Sequence, residues 1–159
     1  MNKAWQQILL GQGLGVLKFG MTRAQVLAIV GEADEKEMSS NSAQADDHTE
    51  TWHYDDMDLS LGFDEQEEWR LVTIAVTSDY YVLESKSLIG KVFDVVEDEL
   101  LKLEIDDLEL DDESTEEGIV NKILSSEEFE LNLWFEDDVL SEIQWGPLYD
   151  DDDKIEWPA

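Results

Sequence analysis

Histidine, the side chain best suited to moving protons near neutral pH, occurs in this chain only at His48 and His53. A Ser/His/Asp triad around His53 needs a serine on a sharp strand-to-helix turn, and no G-x-S-x-G or comparable elbow is present. The two histidines, five residues apart and without helical spacing or any cysteine nearby, do not compose a zinc site. Both read as structural or surface groups. Gly11-Gln12-Gly13-Leu14-Gly15 has the glycines of a phosphate loop, but no strand signal precedes it and no Lys-Ser/Thr follows, so it reads as a flexible connector. Asp150-Asp151-Asp152-Asp153 offers hard oxygen ligands without the alternating spacing, central Gly and terminal Glu of a calcium loop. It reads as a solvated acidic turn, as does the stretch 106–117. With 41 carboxylates, acidic pairs are available everywhere and none is singled out by spacing. No catalytic, metal or cofactor site is expected.

What remains is charge and surface. The 159 residues have a net charge of −31 at pH 7, a field that repels nucleic acid and anionic membranes and leaves basic proteins as expected partners. The charge is uneven: residues 1–83 hold 15 acids and 5 bases, residues 84–159 hold 26 acids and 5 bases. A composition 42% hydrophobic with 6 Trp, 5 Phe and 4 Tyr supplies a core, so the chain reads as folded. Met1 to Leu10 contains an apolar run of only three residues, and no later run approaches the ~18 of a membrane span. The cytoplasm is the expected compartment.

The elements that must position any surface are legible in part. Thr22 and Gln25 are spaced as a capping box, Met21 and Val26 as a hydrophobic staple, and Gly31 as a C-terminal stop, which predicts a helix whose apolar stripe is Val26, Leu27, Ile29 and Val30. Residues 39–48 are polar and read as a loop. Trp52 and Tyr54, then Met57, Leu59, Leu61 and Phe63, alternate with polar residues as strands joined at Asp55-Asp56. A third strand over 69–77 follows an acidic turn at 65–68.

Residues 51–64 (TWHYDDMDLSLGFD) lie without a gap over 123–136 (ILSSEEFELNLWFE) at an offset of 72. With three fewer residues in the next turn, Leu71, Ile74 and Val76 fall on Leu140, Ile143 and Trp145. Upstream, Phe19-Gly20 falls on Ile89-Gly90, and Asp94 with Glu97 offers a second capping box ahead of Val96, Leu100, Leu101 and Leu103. The chain therefore reads as one α+β domain of two pseudo-repeats, 12–83 and 84–149, between an N-terminal helix and an acidic tail, 150–159. Each repeat is one helix plus a three-stranded antiparallel meander, and the two are expected to share a sheet with helices on one face.

The run Leu14-x-x-Leu17-x-Phe19-Gly20-Met21-Thr22-x-x-Gln25-Val26-x-x-Ile29-Val30-Gly31, followed by a meander, resembles the repeat of small outer-membrane assembly lipoproteins of the SmpA/OmlA type and of β-lactamase-inhibitory proteins, which carry it in tandem. In the second copy Lys91-Val92-Phe93 replaces the Met-Thr turn. The resemblance implies a module that presents a concave sheet face to another protein. Size and acidity also resemble bacterial immunity proteins, which neutralise toxin domains.

Alternation then predicts which residues line that face. Leu131, Leu133 and Phe135 occupy the core phase, so Asn132 and Trp134 point away from it; Glu142 and Gln144 lie in the phase opposite Ile143 and Trp145. Ser60 and Thr73 are the matching positions of the first copy. These six residues form the expected partner-binding face, with Trp134 as its anchor. The expected function is inhibition of a basic bacterial toxin domain; the alternative is an acidic chaperone or nucleic-acid mimic that binds several basic proteins.

Overall fold

Alternating apolar residues and short acidic turns put most of the chain into strands. The computed structural model describes residues 6–40, 43, 47–112 and 121–158. In chain order the elements are β1 (Gln7–Leu9), β2 (Gly13–Leu14), β3 (Leu17–Lys18), α1 (Arg23–Val30), β4 (Glu35–Ser40), β5 (His48–Tyr54), β6 (Leu59–Asp64), β7 (Arg70–Val76), β8 (Val82–Leu83), α2 (Phe93–Lys102), β9 (Leu108–Asp112), β10 (Asn121–Ser126), β11 (Leu131–Glu136), β12 (Val139–Trp145), β13 (Leu148–Tyr149) and β14 (Ile155–Glu156). An eight-stranded antiparallel sheet runs β4-β5-β6-β7-β12-β11-β10-β9; a mixed sheet runs β3-β2-β1-β8; β13 and β14 form a hairpin. Among the described residues no helix is long and apolar enough to cross a membrane.

This architecture overturns the predicted α+β arrangement of helix plus three-stranded meander. The protein is mostly β, with two α-helices among the described residues, and each half supplies four strands to the large sheet. The additional strands, β4 and β9, are its two edges. Every residue of β4 is exposed, and in β9 only Leu108 is partly covered, so neither shows the apolar alternation that marks a half-buried strand. Ser39 and Ser40 end β4 and His48 begins β5, while residues 41, 42 and 44–46 of the predicted loop lie outside the described residues. Of the acidic stretch 106–117, β9 takes 108–112 and residues 113–117 lie outside them as well.

The mixed sheet is also built from segments read otherwise. The predicted N-terminal helix falls partly on residues 1–5, outside the described residues, and Gln7–Leu9 is a strand. The glycine segment is not a flexible connector but a tight hairpin: a Cβ at Gly13 would lie 2.0 Å from the Leu17 carbonyl oxygen, so only glycine lets the backbones approach.

Thr22 and Gln25 close the predicted capping box, the Thr22 Oγ1 accepting from the Gln25 amide at 3.2 Å and the Gln25 Oε1 from the Thr22 amide at 2.9 Å. Only Val26 of the predicted stripe is buried, and Leu27 and Ile29 are exposed. The expected box at Asp94 is absent. α2 starts one residue before it, Val92 occupies the cap without a side-chain hydrogen bond, and Phe93, Val96 and Leu100 face the core. A bulky Phe at the first helical position outweighs the cap, because it fills core space against Phe135 with ring centroids 5.0 Å apart.

The core lies on one face of the large sheet. Trp52, Leu61, Phe63 and Ile74 of one half and Leu124, Leu133, Phe135 and Ile143 of the other are covered by α2, by Val26 of α1 and by Ile8, Leu14, Leu17 and Leu83 of the mixed sheet. Trp145 ties the layers together, its Nε1 donating to the Gly13 carbonyl at 3.0 Å.

Pairing is repeated across the large sheet at the offset of the sequence match. Trp52 pairs with Leu61 as Leu124 pairs with Leu133, and the register shifts after Gly62 on β6 as it does after Trp134 on β11. Asp58 and Glu130 both take left-handed backbone angles in the first turn. Gly20 and Gly90 donate to the carbonyls of Leu71 and Leu140, both at 2.9 Å. The halves meet at β7 and β12, where Ala75 pairs with Gln144. Antiparallel pairing of equivalent strands places a two-fold axis normal to the sheet at that pair.

Candidate functional site

The face opposite the core carries a row, polar except at Ala75, that spans all eight strands: Glu35, His53, Ser60, Ala75, Gln144, Asn132, Ser125 and Glu109 are successive cross-strand partners. The pseudo-symmetry relates its two arms. On one arm the His53 Nδ1 lies 2.9 Å from the Ser60 Oγ; on the other the Ser125 Oγ donates to the Asn132 Oδ1 at 2.9 Å. The His53 Nε2 makes no hydrogen bond and has the Glu37 Oε1 at 3.5 Å. These links hold the row in one arrangement, as cross-strand polar pairs do.

The adjacent rows break the symmetry. In the second half Ile123, Trp134 and Glu142 are successive partners; the equivalent residues of the first are Thr51, Gly62 and Thr73. Trp134 is half-buried between its neighbours, whereas Gly62 has no side chain and is itself buried against the Thr73 side chain. A depression of about 280 Å³ results, lined by Thr51, His53, Ser60, Gly62, Thr73, Ala75, Glu142 and Gln144 among others. A Cβ at Gly62 would sit 3.0 Å from the Thr73 Cβ, so glycine lets the bulged strand pair close up here with Thr73 packed over it.

A second depression, of about 260 Å³, lies past Gln144 and Asn132 between the large sheet and the C-terminal hairpin. Asp64, Glu67 and Glu130 line it with Tyr149. Burial, and then the charge of Glu127, pushes the Glu130 carboxyl above the usual range; burial, and then Glu130, Glu67 and Asp64, raises the Tyr149 phenol. At the other end, burial followed by the charge of Glu136 raises the Glu142 carboxyl. No described residue offers Glu142 a hydrogen bond or an ion pair. The face is thus an acidic trough in which burial partly strips water from Glu130 and Glu142, an environment that favours an incoming cation.

All six residues predicted for this face lie on it. Ser60, Gln144 and Asn132 belong to the spanning row, Trp134 and Glu142 are direct partners, and Thr73 borders the Gly62 hollow. His53, Thr51, Ser125, Gly62 and Ala75 complete the face and are missing from the predicted set. Alternation against Trp52 and Tyr54 places His53 and Thr51, and the 72-residue offset places Ser125 opposite Asn132. The acids of the second depression sit at strand ends and turns, where no period orders them. Asp150 to Asp153 form the turn of the β13–β14 hairpin, the Asp150 Oδ1 accepting from the Asp152 amide at 2.9 Å and the Lys154 amide at 3.0 Å.

No protein family, curated protein or solved structure matches the chain.

Proposed function

We propose that the protein binds a basic protein domain on the open face of its large sheet and acts by occluding it, as an immunity protein occludes a toxin in the cytoplasm. The observation behind this reading is the trough itself: a sheet face that combines the partly desolvated Glu130 and Glu142, whose carboxylates have no partner among the described residues, with a large aromatic. Trp134 contributes apolar contact area, and the surrounding acids contribute attraction and register. The net charge of −31 steers a cationic partner inward over long range. Association with the partner therefore slows steeply as salt rises.

Capture from the source proteome at low salt, followed by a high-salt wash, tests the reading when the retained complex is mapped by hydrogen exchange. One retained basic protein with protection concentrated in β6, β7, β11 and β12 supports it. Loss of every protein at high salt favours an acidic chaperone or nucleic-acid mimic, and protection confined to the helices contradicts the face assignment.

A further inference from the structure

Resting on the reading of the trough as the binding face, we propose that the hollow beside Gly62 receives one arginine side chain of the partner, its methylenes against Ala75 and Thr73 and its guanidinium at Glu142. The second half carries its own bulky Trp134 at the equivalent position; in the first half Thr73 packs over the buried Gly62, and the remaining depression opens beside it over Ala75 toward Glu142.

The lining selects the guest. Its floor is the Ala75 methyl group beside the Thr73 side chain, which suits an aliphatic stem. Around it stand the Ser60, Thr51 and Thr73 hydroxyls and the Gln144 amide, with Glu142 as the one carboxylate. A guanidinium carries five donors in a planar fork and can use several dispersed acceptors together with a carboxylate, whereas an ammonium is a compact, strongly hydrated point charge. One carboxylate among neutral acceptors is too few for a calcium ion, which takes six to eight oxygen ligands. Glu142 is half-buried and has no side-chain partner among the described residues, and an arginine of the partner satisfies it.

The probe is the blocked tripeptide Ac-Gly-Arg-Gly-NH2, titrated into the 15N-labelled full chain, with Ac-Gly-Lys-Gly-NH2 as its comparison. Amide shifts should centre on Gly62, Thr73, Ala75 and Glu142, with the lysine peptide weaker. Glu142→Gln, which keeps the shape, and Ala75→Phe, which fills the hollow from the solvent side, should each weaken the arginine peptide by about tenfold or more, as loss of a charge-assisted hydrogen bond does. Should Ala75→Phe unfold the protein, Glu142→Gln alone decides. Shifts spread over the acidic surface, unchanged affinity in Glu142→Gln, or equal affinity for the lysine peptide would each overturn the arginine assignment. If the peptide result fails while Trp134→Ala still weakens the protein partner, only the hollow's role falls. If both fail, the binding-face reading falls with it.

Discussion

The two halves of the large sheet share Leu59/Leu131, Leu61/Leu133, Phe63/Phe135, Leu71/Leu140 and Ile74/Ile143 on the buried side and differ there at Trp52/Leu124, Tyr54/Ser126 and Val76/Trp145, whereas the open side differs in chemical class along a whole row. Phe63 and Phe135 are both buried beside the same register shift, and Ile74 and Ile143 sit at equivalent points of the central strands. Across the sheet, a Thr51-Gly62-Thr73 row faces an Ile123-Trp134-Glu142 row. The core must be filled to close packing in both halves, so a change of volume at one buried position, such as Val76 against Trp145, must be matched by the layer packed on it. The open face carries no such demand, and its asymmetry marks where the halves serve something other than the fold.

That comparison can be broken most directly in the core. Phe63→Ala and Phe135→Ala should each lose about 3–5 kcal/mol in urea unfolding, since both empty a close-packed aromatic site. One severe and one mild loss would show that the halves are not equivalent in packing.

The helix starts offer a smaller test, because α1 has a capping box and α2 has none. Thr22→Ala should cost about 1 kcal/mol, and Val92→Thr at the exposed, uncapped start of α2 should gain up to about 1 kcal/mol, both read from thermal melts. A Val92→Thr loss would mean that Val92 has a packing role.

The smallest effect concerns Glu142. Its folded pKa is raised by burial, so its ionised form is disfavoured in the folded state at neutral pH, and the penalty fades as pH falls through the folded value toward the ordinary glutamate value. Glu142→Gln should raise the melting temperature slightly at pH 7 and leave it unchanged near pH 4. An equal gain at both values would show that desolvation of the charge is not the cause.

The hairpins β5–β6 and β10–β11 and helix α1 are legible in the sequence because each writes a local signal: alternation of Leu59, Leu61 and Phe63, or the Thr22–Gln25 spacing. The predicted face follows from the same alternation, and Asn132, Trp134, Glu142 and Gln144 needed no tertiary information to be placed on one side. What is not legible lacks a period. β4 is exposed on both sides, β1 to β3 are two or three residues long, and α2 begins where Phe93 finds core space rather than where Asp94 could cap it. The predicted architecture fell short by one edge strand in each half and by a whole second sheet for this reason.

The binding-face account is tested most directly by measuring, on the same preparation of Trp134→Ala, the affinity for the partner and the thermal midpoint. The account predicts an affinity loss of about 2 kcal/mol or more, as for hot-spot truncations, with a nearly unchanged midpoint, because Trp134 lies outside the core. A destabilised protein whose folded fraction binds with wild-type affinity would contradict it and leave Trp134 as a purely structural residue of the sheet.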